Sequence, residues 1–244
     1  MRQLELSGRE VQLWTVRVEA VESTFARASS WLSADEAERA ARFRFEKHRR
    51  AFVLGRAVLR ALAANYLRIA PMDVSFTYGP KGKPALAGAP CPLDFNVSNS
   101  GDLAAYAFTL NCEIGVDVEY RRRMADIEAI ARRFFAPAEV AEFMALAETD
   151  RREGFFNCWT RKEAYIKAVG DGLSVPLDSF RVTLQPGVAA RMVELEGSSS
   201  AAERWTLHAF TPAPDYAGAI AYPDHERPLI VQPLRSVDQL LEGD

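Results

Sequence analysis

Glu113-Ile114-Gly115-Val116-Asp117-Val118-Glu119-Tyr120 is the segment from which the fold is read. Ile114, Val116 and Val118 alternate with Gly115, Asp117 and Glu119. That period of two marks a half-buried strand with its aliphatic side chains inward. Asp117 and Glu119 then share the opposite face, roughly 7 Å apart along the strand. Acidic residues are poor strand formers, and two on one face repel each other unless a cation or solvent relieves them. A solvated strand face is the plain alternative. Gly115 has no side chain, so another group can approach the backbone there.

Downstream, Trp159-Thr-Arg-Lys-Glu-Ala-Tyr-Ile-Lys-Ala-Val-Gly-Asp-Gly-Leu173 reads as a helix closed by Gly170 and Gly172. Helical spacing puts Trp159, Glu163 and Lys167 on one face, with a carboxylate and an ammonium one turn apart. Alone, such a pair is an ordinary surface ion pair. With Asp117 and Glu119, Glu163 makes three hard oxygen ligands. That set suits magnesium, which takes few carboxylates and completes its shell with water and phosphate oxygens. Zinc does not fit. His48, His208 and His225, and Cys91, Cys112 and Cys158, are scattered without ligand spacing.

Upstream lie two segments suited to phosphate. Tyr78-Gly-Pro-Lys-Gly-Lys-Pro-Ala-Leu86 is a turn-rich loop carrying Lys81 and Lys83, with Lys83 held extended by Pro84. Phe95-Asn-Val-Ser-Asn-Ser-Gly-Asp102 reads as a polar loop whose hydroxyls and amides can bond phosphate oxygens. Earlier, the basic run Arg42–Arg50 leads into a helix over 51–67 with Phe52, Leu59, Leu62, Ala63 and Tyr66 as its core face. Lys47, Arg49, Arg50 and Arg56 are candidate phosphate contacts there. A solvated helix face is the alternative.

Strands are expected over 11–18, 74–77, 104–110, 113–120, 179–184, 205–209 and 218–221. Helices are expected over 34–43, 51–67, 124–134, 137–146 and 152–169. Strands cluster with helices between, which indicates an α+β fold. Ala-Arg followed by paired phenylalanines recurs at 41–45 and 131–135, a faint internal repeat. Residues 186–203, rich in glycine, serine and alanine, are expected to contain a mobile hairpin tip, and the tail from Glu226 to pack as an extended arm.

The 244 residues suffice for one large domain or two small ones, and 48% apolar content is ample for a core. No apolar run reaches the roughly 18 residues of a membrane span, and the first residues lack a long apolar signal segment. Three unpatterned cysteines suit a reducing cytoplasm. A net charge of −3 gives no global pull toward nucleic acid. The expectation is a cytoplasmic monomer that binds neither membrane nor nucleic acid. Arg121–Arg123 and Arg132–Arg133 are candidates for a local basic patch, or for a solvated turn.

In order, Gly-Lys-Pro (82–84), Phe-Asn-Val-Ser (95–98), Gly-Val-Asp-Val-Glu (115–119) and Trp-x-x-Lys-Glu-x-x-x-Lys-x-x-Gly-x-Gly-Leu (159–173) resemble the 4′-phosphopantetheinyl transferase superfamily. The likeness is to its long, surfactin-synthetase-activating type. It implies two similar α+β halves related by a pseudo-two-fold, 1–112 and 113–244, with the active site in the cleft between them. It further implies transfer of the 4′-phosphopantetheine arm of coenzyme A to a serine of an apo acyl or peptidyl carrier protein, with Mg2+, releasing adenosine 3′,5′-bisphosphate.

By the same resemblance, Asp117, Glu119 and Glu163 are the metal ligands and Lys167 contacts the phosphate under attack. Lys83 and Pro84 belong to the coenzyme A loop, Ser98 and Asn99 stand at a coenzyme A phosphate, and Lys47 and Arg50 fall at the nucleotide end. Glu139 matches a proposed general base. One departure is Asn99, where the family usually has histidine. Asparagine donates a hydrogen bond but carries no positive charge.

A serine hydroxyl is a weak nucleophile near neutral pH. A carboxylate (Glu163 or Glu139) or a metal-bound water must take its proton. Two other readings share the residues: a magnesium-dependent nuclease or phosphodiesterase, and a non-catalytic relative that binds carrier protein. The nuclease reading lacks a basic stripe with interleaved aromatics.

Overall fold

A computed structural model describes residues 4–88, 92–124, 126–170, 175–224, 227–234 and 236–242. Gly172, Leu173, His225 and Cys91 lie outside them. The chain begins β1 (Val11–Arg17), α1 (Glu22–Ser30), α2 (Ala34–Ala41), α3 (Glu46–Leu67), β2 (Phe76–Tyr78), β3 (Pro84–Leu86), β4 (Leu93–Ser100) and β5 (Leu103–Leu110). It then repeats that order: β6 (Gly115–Tyr120), α4 (Ile127–Phe134), α5 (Pro137–Ala145), α6 (Glu148–Val169), β7 (Phe180–Val182), β8 (Met192–Leu195), the four-residue α7 (Ser199–Ala202), β9 (Trp205–Phe210) and β10 (Tyr216–Pro223). A tail of β11 (Leu229–Pro233) and α8 (Val237–Glu242) follows.

The larger sheets have strand orders β11-β1-β5-β4 and β6-β10-β9, and β2-β3 and β7-β8 are two-stranded. Without β11, the two sheets share one topology, first strand beside last strand beside the one before it. Each half also holds a 22-residue helix, α3 and α6. The fold is α+β, built from two like halves.

Each half has its own core. In the first, Leu54, Val58 and Leu62 of α3 pack on Phe95, Tyr106 and Phe108. In the second, Phe155, Ala164 and Ile166 of α6 pack on Ala217, Ala219 and Ala221 of β10. A third cluster joins the halves. Val11 and Leu13 of β1 and Leu103, Ala105 and Ala107 of β5 meet Ile114, Val116 and Val118 of β6, with Ile220 and Tyr222 of β10. The aliphatic face of β6 is therefore the seam between sheets, and its Gly115/Asp117/Glu119 face turns toward α6. A Cβ at Gly115 would stand 2.0 Å from the carbonyl oxygen of Ala164 and 2.3 Å from the amide nitrogen of Ala168. Only glycine lets β6 lie against the α6 backbone, which brings Asp117 to Lys167.

Two expectations need correction. Residues 95–102 are not a loop; they form most of β4 and the turn after it. Residues 186–203 do hold a hairpin tip, the β7–β8 turn with Gly187 at positive φ, and continue as β8, a second turn at residues 196 and 197 and α7. The tail does not belong with 113–244. β11 pairs in parallel with β1, and Val237, Leu240 and Leu241 of α8 enter the first core. Burying these apolar residues and pairing the exposed edge of β1 draw the tail back to the first half.

Candidate active site

Asp117 is buried on β6. Its Oδ1 accepts hydrogen bonds from Lys167 Nζ at 2.6 Å and Ser98 Oγ at 2.9 Å. Its Oδ2 is buried with no hydrogen-bond partner. Glu119, two residues on, is half-buried and accepts a bond from Ser100 Oγ at 2.7 Å. Glu163 lies on α6 one turn before Lys167. Burial raises the carboxyl pKa values of Asp117, Glu119 and Glu163. The charge of Asp117 adds to the rise at Glu119 and Glu163, and Lys167 lowers all three. The three acids are close enough to act on one another.

Beside them is a cavity of about 260 Å³ lined by Lys81, Lys83, Pro84, Asn96, Glu163 and Lys167, among others. Lys83 departs from a simple phosphate contact. Its Nζ donates to the carbonyl oxygens of Ala168 at 2.7 Å and Ile114 at 3.3 Å. An ammonium is favourable at the last carbonyls of a helix, so Lys83 ties the Gly-Lys-Pro turn to the end of α6 and the start of β6. Burial lowers its pKa. α6 ends at Gly170, whose φ of +83° suits glycine.

Other predicted residues are placed elsewhere. Ser98 is buried between β4 and β6, and Asn99, on the opposite face of β4, is exposed. Lys47 and Arg50 do not line the Lys83 cavity. They line a separate cleft of about 870 Å³ with Arg17, Asp102, Tyr120 and Tyr216. There Arg50 pairs with Glu22 at 2.8 Å and lies over the Phe25 ring.

Glu139 is fully buried. Its carboxylate pairs with Lys162 at 2.8 Å and accepts the amide protons of Ala136 at 2.8 Å and Val182 at 2.7 Å. Every contact serves the second core, so Glu139 is not placed to meet an incoming hydroxyl. Pro137 at the first helical position and Glu139 at the third are a helix-start signature, and the sequence carried that signal. Asp94 carries no signal in the sequence, and Ser100 stands there only as one hydroxyl of the 95–102 segment; the role of each shows in how β4 meets β6 and the residues before it.

Among the described residues, no three of His, Cys, Asp and Glu form a ready-made metal cage. Magnesium does not require one, since one or two carboxylates with substrate phosphate and water suffice. The buried, unpartnered Oδ2 of Asp117 is an acceptor whose capacity is unused, and with the neighbouring carboxylates this hard oxygen set fits the ion. No described helix is long and apolar enough to cross a membrane.

The 4′-phosphopantetheinyl transferase superfamily model matches residues 113–221, and the model described as 4′-phosphopantetheinyl transferase, N-terminal, matches 17–111. The chain is 37% identical over 220 residues to the 4′-phosphopantetheinyl transferase HetI of Nostoc sp., covering 89% of this chain and 90% of HetI. It is 33% identical over 175 residues to the 4′-phosphopantetheinyl transferase Sfp of Bacillus subtilis, covering 71% of this chain and 75% of Sfp. These likenesses displace the nuclease reading. The paired carboxylates on β6, the Glu163/Lys167 turn of α6 and the extent of both matches together place this enzyme in the 4′-phosphopantetheinyl transferase superfamily.

Proposed function

We propose that the protein transfers the 4′-phosphopantetheine arm of coenzyme A to a serine hydroxyl of an apo acyl or peptidyl carrier protein, with Mg2+, releasing adenosine 3′,5′-bisphosphate. One observation carries the reading: three mutually repelling carboxylates and Lys167 meet beside the Lys83 cavity, and one buried carboxylate oxygen has no partner. Asp117, Glu119 and Glu163 would hold the ion. Bound there, Mg2+ supplies charge neutralisation to the diphosphate under attack.

Lys167 adds a positive charge on the same side, where negative charge grows on the phosphoryl oxygens. Glu163 accepts the serine proton. In the metal-free site, burial and then the charge of Asp117 raise its pKa. The new bond joins the serine oxygen to phosphorus. The bond broken is between that phosphorus and the bridging oxygen of the diphosphate, and the adenosine bisphosphate departs with that oxygen.

Intact mass of apo carriers incubated with coenzyme A and Mg2+ tests this. The expected result is a gain of one phosphopantetheine with the wild-type protein and none with Asp117→Ala. Carrier binding without a mass gain would favour the non-catalytic reading. At position 99, histidine would gain charge below about pH 6.5 and attract a coenzyme A phosphate. Asn99→His is therefore expected to lower the coenzyme A KM, more so as pH falls from 7.5 to 6. An unchanged KM across that range would contradict it.

A further inference from the structure

Four alternate residues of β4 face β6, and all four are polar. Asp94 Oδ2 accepts the amide proton of Cys112 at 3.0 Å and Asn96 Oδ1 that of Val116 at 3.0 Å. Ser98 Oγ accepts from Val118 at 3.3 Å and Ser100 Oγ from Tyr120 at 3.1 Å. The internal repeat explains why these amides need partners. β6 corresponds to β1, and the outer edge of β1 is paired by β11. Among the described residues no strand occupies the same edge of β6, so its outward amides would be orphaned. Side chains of β4 take the place of that strand.

The two serines do more than accept. An amide can only donate, so each hydroxyl keeps its single proton for another acceptor. Ser98 gives it to Asp117 Oδ1 and Ser100 gives it to Glu119 Oε2. Ser98 Oγ also accepts from Lys167 Nζ at 2.9 Å, so its one proton and two lone pairs are all engaged. Oδ1 of Asp117 is committed to Ser98 and Lys167, and Oδ2 is left without a partner. The side-chain dipoles of the first half thus set which oxygen of the second half is free.

We infer that Ser98 and Ser100 are positioning residues that orient Asp117 and Glu119 toward a divalent cation, and that Ser98 is not primarily a coenzyme A contact. The inference rests on the metal reading above. Groups that orient metal ligands are typically worth 10- to 100-fold in affinity.

The test is Mn2+ binding by the protein, followed by electron paramagnetic resonance with coenzyme A present and no carrier. Ser98→Ala and Ser100→Ala are each expected to weaken Mn2+ binding about 10-fold or more. Asp94→Ala removes a partner of the same kind without touching a carboxylate of the cluster. It is expected to lower the melting temperature and leave Mn2+ affinity within about twofold. If both serine variants melt lower yet bind Mn2+ like wild type, the serines only cover the β6 edge and the inference is overturned. If wild type itself binds no Mn2+, the metal reading fails first, and this inference with it.

Discussion

Replacing Glu139 by alanine is expected to unfold the protein at markedly lower temperature while sparing turnover in the molecules that remain folded. Glu139 and Lys162 are both buried and paired at 2.8 Å, and removing the carboxylate strands an ammonium in the core. Breaking such a pair costs about 3–5 kcal/mol, because the remaining charge has no solvent to return to. In a chain of this size that is on the order of 10 °C in melting temperature. The amides of Ala136 and Val182 also lose their acceptor.

Lys162 keeps the carbonyls of Leu177 and Phe180, which softens the loss. In a double-mutant cycle with Lys162→Met, the loss should be smaller than the sum of the single losses, since both act on one contact. Glu139→Gln, assayed well below its melting point, should keep kcat within a few-fold. A normal melting temperature with kcat reduced about 100-fold would instead restore Glu139 as the base.

Glu163→Ala is expected to behave in the opposite way. Burial and the charge of Asp117 both raise the Glu163 pKa, which means the charged form is held against resistance. Removing it relieves that repulsion. The melting temperature should hold or rise. Turnover should fall by a factor on the order of 10² or more, as when a general base is lost. A group that destabilises the fold and sustains the chemistry is the signature of a functional carboxylate, and the contrast with Glu139 can be read from two curves per variant. Near-normal turnover in Glu163→Ala would remove the central residue of the mechanism.

The strand at residues 113–120 was legible because its aliphatic and acidic residues alternate and because each face meets a different environment: the sheet seam on one side, α6 on the other. The α6 helix was legible from the spacing of Glu163 and Lys167 and from Gly170 at its end, although it starts at Glu148, before the expected residue. α3 likewise begins earlier, at Glu46, and absorbs half of the basic run.

β4 was hidden. Its Asn96, Ser98 and Ser100 look like loop residues by propensity, because sequence does not show that a neighbouring strand edge lacks a partner. The tail was hidden for a related reason. Its pairing with β1 spans almost the whole chain, and its short apolar stretches carry no sign of which half they will cover. Lys83 looks free to bind phosphate in the sequence because nothing local predicts that the Ala168 carbonyl stands 2.7 Å away. Local period gave the elements, and long-range edge pairing decided where the polar residues went.

Crystals grown with coenzyme A and Mn2+ and measured for anomalous scattering test the central claim most directly. The account predicts one strong peak in the cleft between the halves, bonded to Asp117 Oδ2 and to Glu163, with a coenzyme A phosphate oxygen on the same ion. A peak elsewhere, or a coenzyme A molecule bound in the cleft with no ion at Asp117, would contradict it.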